Sequence, residues 1–170
     1  MGAVAVTDTV NDRSLAIDDE ALAARCSATT VLITADCSAA VERVARRIHA
    51  ASGRAASPFV RLAAGTLPIH ATTLTETCAD VLDTVGDGTL LLTDVEQMPP
   101  IVQDRLIETL AGLHAAREPT CRGRLIAGTS AVLPERIAVG TFCERLFYRL
   151  NTIHVVATSA IGDRPEPVAL

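Results

Sequence analysis

Five short apolar runs, each separated by a segment of helical pattern or length, constrain this chain more than any other feature. The runs are Thr30–Thr34 (TVLIT), Pro58–Leu62 (PFVRL), Thr89–Thr93 (TLLLT), Arg124–Gly128 (RLIAG) and Thr152–Ala157 (TIHVVA). Runs of this length, rich in Val, Leu and Ile, suit strands buried on both faces. Between them, Val41, Val44, Ala45, Ile48 and Ala51 recur at helical spacing after Ser38, which is placed as the cap, while Arg43, Arg46 and Arg47 fall mainly on other faces. Leu74, Thr77, Cys78, Val81 and Leu82 form a second stripe over Thr73–Val85. Val102, Leu106, Ile107, Leu110 and Leu113 form a third behind Pro99 and Pro100. Further helices are expected at Asp18–Arg25 and Phe142–Leu150. Strand–helix alternation of this kind predicts an α/β fold with a parallel sheet covered on both faces. Ligands on such sheets bind beyond the C-terminal strand ends. The loops of interest are therefore Ala35–Ala40, Ala63–Ala71, Asp94–Met98 and Thr129–Pro134.

Composition narrows the chemistry. The 170 residues carry a net charge of −5, and the only basic side chains besides His are 15 arginines; there is no lysine. Schiff-base, lysine general-base and P-loop lysine chemistry are thereby excluded from this chain. Aromatics make up 2% of the sequence, too few for a base-stacking platform. The five cysteines (Cys26, Cys37, Cys78, Cys121 and Cys143) show no paired spacing, so no zinc site and no other metal is expected, and reduced cytoplasmic thiols are. Neither a signal peptide nor a membrane span is read. His49 is expected to pack or lie at the surface, His70 and Cys78 are too few for a metal site, and Cys37 falls at a possible helix N-terminus.

Several segments, in order, resemble the AAA+ core of sigma-54-dependent transcription activators, the bacterial enhancer-binding proteins. Val31-Leu-Ile-Thr followed by Val44-Ala-Arg, Ile48-His49, Ser52, Arg54 and Pro58-Phe-Val60 is similar to the family's first strand and helix. Leu67-Pro68, Gly88-Thr-Leu-Leu-Leu, Met98-Pro99, Gln103 with Leu106 and Leu110, and Arg124-Leu-Ile-Ala with Thr129 follow in family order. Phe142-x-Glu144-x-Leu146-Phe-Tyr148-Arg149-Leu-Asn151 resembles the family's signature FREDLYYRLN, the most specific match. The resemblance covers residues 30–155. It implies a three-layer α/β/α domain with a five-stranded parallel sheet in the order 5-1-4-3-2. Its boundaries are expected at 18–157, with tails at 1–17 and 158–170 and no lid subdomain.

Where the family carries its nucleotide chemistry, this sequence differs. Its phosphate loop GESGTGKE corresponds to Ala35, Asp36, Cys37, Ser38, Ala39, Ala40, Val41 and Glu42: the glycines fall at Ala35, Ser38 and Ala40, and the lysine at Val41. A phosphate cradle needs glycine because its backbone N–H groups turn inward at unusual dihedrals. The Walker B Asp-Glu falls at Thr93 and Asp94, with Asp94 expected at a strand end, facing solvent or capping a turn. The sensor I polar residue falls at Ser130. Of the two arginines that act across the family's ring on a neighbour's phosphates, one is Cys143 and the other is retained as Arg149, expected to pair with Glu144 or another acid. Between Pro68 and Gly88 nothing resembles the GAFTGA loop that contacts sigma-54 in the family.

The resemblance implies ATP and magnesium as family cofactors, but the altered positions lead to an expectation of neither, and of no catalytic residue. The leading expectation is a non-catalytic regulatory or interaction module linked to transcription regulation, cytoplasmic, with a protein partner such as an intact AAA+ activator. Direct DNA or membrane binding is not expected. The alternatives are an ATP-binding activator with drifted motifs and a small thiol- or metabolite-binding protein.

Overall fold

A computed structural model describes residues 19–26, 28–67, 85–115 and 123–157, with the backbone alone at 112–115. Five parallel strands, β1 (Val31–Ala35), β2 (Phe59–Ala63), β3 (Thr89–Thr93), β4 (Arg124–Thr129) and β5 (Ile153–Ala157), make one sheet. Its order is β2-β3-β4-β1-β5, the 5-1-4-3-2 order the resemblance implies, read from the other edge. The register aligns Val31 with Ile126 and Ile153, and Thr89 with Phe59 and Arg124. Helix α1 covers 19–25, and α2 (Ser38–Ala50), α3 (Pro100–Ala115), α4 (Leu133–Ala138) and α5 (Glu144–Leu150) follow.

Because side chains alternate across a strand, β1 to β4 each feed two cores, while β5 packs on one face only. Leu32, Leu90, Leu92, Leu125 and Ala127 face Val102, Leu106 and Leu110 of α3 and Leu146 and Leu150 of α5. On the other face Val31, Ile33, Leu91, Ile126 and Val155 meet Val41, Val44, Ala45 and Ile48 of α2 and Ala23 of α1. Each Leu, Ile or Val buried this way stabilises the fold by roughly 1.5–3 kcal/mol, and Ala, Val, Leu and Ile supply nearly all of it.

Polar groups pin the N-terminal end of the sheet. His49 is buried with Nδ1 2.9 Å from Thr89 Oγ1, and its ring meets Phe59 edge-on. It therefore packs, as expected. Arg124 is fully buried at the start of β4, and its Nη2 donates to the Ala23 carbonyl in the last turn of α1, where the helix dipole favours a cation. Its Nε and Nη1 have no hydrogen-bond partner among the described residues, and burial, with Arg54 nearby, draws its pKa down to about 10. Gly88 is glycine for want of space: a Cβ there would overlap the Pro58 carbonyl, which accepts the Thr89 N–H at 2.9 Å.

Several boundaries differ from expectation. The C-terminal helix begins at Glu144 rather than Phe142, because Phe142 is buried in the core and Cys143 is extended at its N-cap. Ala64–Thr66, within a stretch read as loop, forms a 3-10 turn, and α4 lies where no helix was read. The helix expected over Thr73–Val85 falls, apart from helical Val85, outside the described residues, as do His70, Cys78, Cys121 and both expected tails.

Candidate functional site

The loops after β1, β3 and β4 meet at the C-terminal edge of the sheet. The first is only Asp36 and Cys37, because α2 begins at Ser38. Cys37, extended at φ −157°, is the N-cap, so the assignment of Ser38 as cap is corrected by one residue. No side chain caps this helix; the Cys37 carbonyl instead accepts from the N–H groups of Ala40 (3.0 Å) and Val41 (3.1 Å). Ala35 ends β1 and Ala40 is buried. Among the described non-glycine residues only Asp94 has a positive φ, so positions 35–42 contain no inward-turned backbone of the kind a phosphate cradle uses.

Val41 is buried against β4, and a Cβ on Gly128 would overlap its Cγ1. The two residues are complementary: the side chain missing at 128 leaves the space that the one at 41 fills. Glu42, next along α2, turns outward. Its Oε1 accepts from Arg46 Nη2 at 2.7 Å, and its Oε2 lies 3.3 Å from Arg61 Nε.

The loop after β3 opens with Asp94 at φ 56°, ψ 46°, a left-handed conformation that costs a non-glycine residue on the order of 1 kcal/mol. Its carboxylate accepts a hydrogen bond from the Ser38 hydroxyl. The expectation that it faces solvent or caps the following turn is therefore corrected: it is half-buried, makes no cap bond and ties the β3 loop to the start of α2. Thr93 is fully buried, and its Oγ1 has no hydrogen-bond partner among the described residues. Glu96, in the 3-10 turn Val95–Gln97, accepts from Thr129 Oγ1 at 2.7 Å and from Ser130 Oγ at 3.3 Å. Ser130 thus meets a carboxylate of its own chain. The same edge carries an open groove of about 580 Å³ lined by Glu96, Gln97, Ser130, Val132, Glu135 and Arg136 among others.

Arg149 lies in the last turn of α5 and makes no ion pair among the described residues. Its expected pairing with Glu144 is not formed; Glu144 Oε1 instead lies 3.5 Å from the Tyr148 hydroxyl. Cys143 donates its N–H to Gln103 Oε1 at 2.7 Å, and Gln103 Nε2 donates to the Met98 and Thr141 carbonyls, so one buried amide joins α3 to the start of α5. Cys37 is exposed, and Cys26 and Cys143 are half-buried. Among the described residues no three His, Cys, Asp or Glu side chains gather as metal ligands, and no helix is long and apolar enough to cross a membrane.

The structure thus brings together Ser38 with Asp94, Val41 with Gly128, and Ser130 with Glu96. Sequence reading did not single out Glu96 or Gly128, and named Gln103 and Thr129 only as matches to the family's order. Only Gly128 carried a local signal, a glycine inside a strand pattern, which marks close approach.

The sigma-54 interaction domain family model matches residues 12–159. The regulatory protein AtoC of Escherichia coli K12 is 33% identical over 162 residues, covering 85% of this chain and 35% of AtoC. The nitrogen assimilation regulatory protein NtrX of Azorhizobium caulinodans is 29% identical over 153 residues, covering 81% and 34%. NtrX from Brucella abortus, solved in complex with ATP, superposes with a TM-score of 0.72 at 26% identity, over 92% of this chain and 39% of that one. The P-loop NTPase domain of the sigma-54 transport activator from Escherichia coli, at 17% identity and a TM-score of 0.58, shares the fold. The chain spans about a third of the length of the curated relatives it matches.

Proposed function

Since the chain belongs to the sigma-54 interaction domain family, we propose that it serves sigma-54-dependent transcription regulation as a protein-interaction module that neither binds nor hydrolyses a nucleoside triphosphate. The observation that carries this reading is the Val41–Gly128 contact, with apolar packing where the family's phosphate-binding lysine would stand. The rest of the edge supports it. The residues present do not fit a triphosphate and its magnesium: α2 starts too early to leave a cradle, Thr93 offers a hydroxyl for a metal-binding carboxylate, and Glu96 sets a negative charge against Ser130. Anionic phosphates entering there would meet the half-buried carboxylates of Asp94 and Glu96.

On this reading the partner is an intact AAA+ activator, joined through protein surfaces, and the chain works in the cytoplasm. Arg149, outside any ion pair among the described residues, is available to such a contact. Titrating the chain into an intact activator from the same cell, while following ATP hydrolysis and open-complex formation, tests the proposal. A saturable change in the activator's rate is the expected result. No change up to a large molar excess, together with ATP hydrolysis by the chain alone, would overturn it in favour of a drifted ATPase.

A further inference from the structure

We infer that the outward face of α2, together with Arg61 on the edge strand β2, is a docking surface for an acidic segment of a partner protein; the inference rests on the protein-interaction reading and names the chemistry of that contact. Arg43, Arg46 and Arg47 lie on the exposed side of α2, and Arg61 is exposed on β2. The side-chain pairs show how this face takes carboxylates. Glu42 lies between two guanidinium groups, Arg46 at 2.7 Å and Arg61 at 3.3 Å. Glu20, from α1, is gripped by both Nε and Nη2 of Arg47, each to a different oxygen. A carboxylate 27 residues away in sequence thus already docks here through a two-pronged fork, a geometry that suits Arg and planar anions.

Positive charge remains after these pairings. Among the described residues four guanidinium groups face two carboxylates, Arg43 makes no ion pair, and Arg46 and Arg61 share Glu42. The Arg46 guanidinium carbon lies over the Phe59 ring, 4.7 Å from its centroid, a cation–π contact. The surplus sits on a molecule whose net charge is −5, so the rest of the surface is more acidic than the whole. A long polyanion such as duplex nucleic acid would run off this small patch onto repelling surface. A short acidic helix or loop covers only the patch, and charge complementarity then sets both encounter rate and register.

The test is fluorescence anisotropy of a labelled ten-residue Glu-rich peptide, with a labelled 20-base-pair duplex and a Gln-rich peptide as comparisons. The whole chain is used, with light scattering alongside. The Glu-rich peptide is expected to bind at 50 mM salt, to weaken severalfold by 200 mM, and to bind at least about tenfold more weakly to the Arg43→Glu/Arg61→Glu double variant. Arg136→Glu on α4 should leave it unchanged. The milder Arg43→Gln/Arg61→Gln pair replaces the charge reversal if that variant does not fold. Duplex binding as tight as peptide binding, indifference to the double variant, or absence of peptide binding at low salt overturns the inference. A salt-sensitive self-association abolished by the double variant would also overturn it, by making a second copy the occupant. A nucleotide-binding result would overturn the interaction reading while leaving these peptide affinities as they are, so the two failures are distinguishable.

Discussion

Val41 and Gly128 form the contact on which the functional reading turns, and its energetics can be measured as a pair. Gly128→Ala forces a methyl group into the Val41 side chain and is expected to destabilise the fold by roughly 1–3 kcal/mol. Val41→Ala removes two buried carbons and should cost about 1.5–2 kcal/mol. The double variant should be more stable than the sum predicts, because the new methyl occupies the space just vacated. Urea unfolding of the four proteins measures this coupling, and strict additivity would mean that the two residues do not share that space. Val41→Lys, which restores the family's residue type, should cost about 3 kcal/mol or more, since the longer side chain would overfill the space against Gly128 and carry an ammonium group into a buried site.

Gln103 does at the level of elements what Val41 does for a single cavity. Its amide holds the carbonyls of Met98 and Thr141 and the N–H of Cys143, and so fixes α5 against α3. Gln103→Ala strands part-buried polar groups and is expected to cost roughly 2–3 kcal/mol, with the Cys143 amide losing hydrogen-exchange protection ahead of the sheet. Unchanged protection at Cys143 would contradict this role. The elements themselves were largely legible in the sequence, because buried parallel strands read as apolar runs: Thr89–Thr93 is β3 residue for residue, and the other strands differ by a residue or so at their ends. Helix α4 was not legible, because its six residues, including Pro134, are too few to show a periodicity. The site was legible only in part. Loss of the glycines and the lysine can be read position by position, but the Ser38–Asp94 and Glu96–Thr129 bonds join loops 56 and 33 residues apart. Sequence places those loops on one edge of the sheet without saying which side chains meet.

For the whole molecule, acid sensitivity follows from His49. Burial, reinforced by the positive charges of Arg124, Arg46 and Arg54 and opposed by a hydrogen bond with the Ser57 backbone, holds its pKa below the usual 6.5. The unfolded chain therefore takes up the proton first as pH falls. Stability from this group is present above about 6.5, the ordinary histidine value, and is lost as pH falls from there toward the folded-state pKa. Thermal melts should show that slope, and His49→Asn, whose amide stands near the Nδ1 position, should reduce it, leaving the share of His154, whose pKa burial also lowers; an unchanged slope would place the titration elsewhere. In solution the chain alone is expected to scatter light as a monomer or small oligomer rather than as a ring, since no nucleotide is expected at its subunit boundary and Cys143 stands where the family has an arginine. The central claim, a sigma-54 interaction domain that works without a nucleotide, is tested most directly by isothermal titration of the intact chain with Mg-ATP. The account predicts no saturable heat. A dissociation constant in the low micromolar range, abolished by Asp94→Ala, would contradict it.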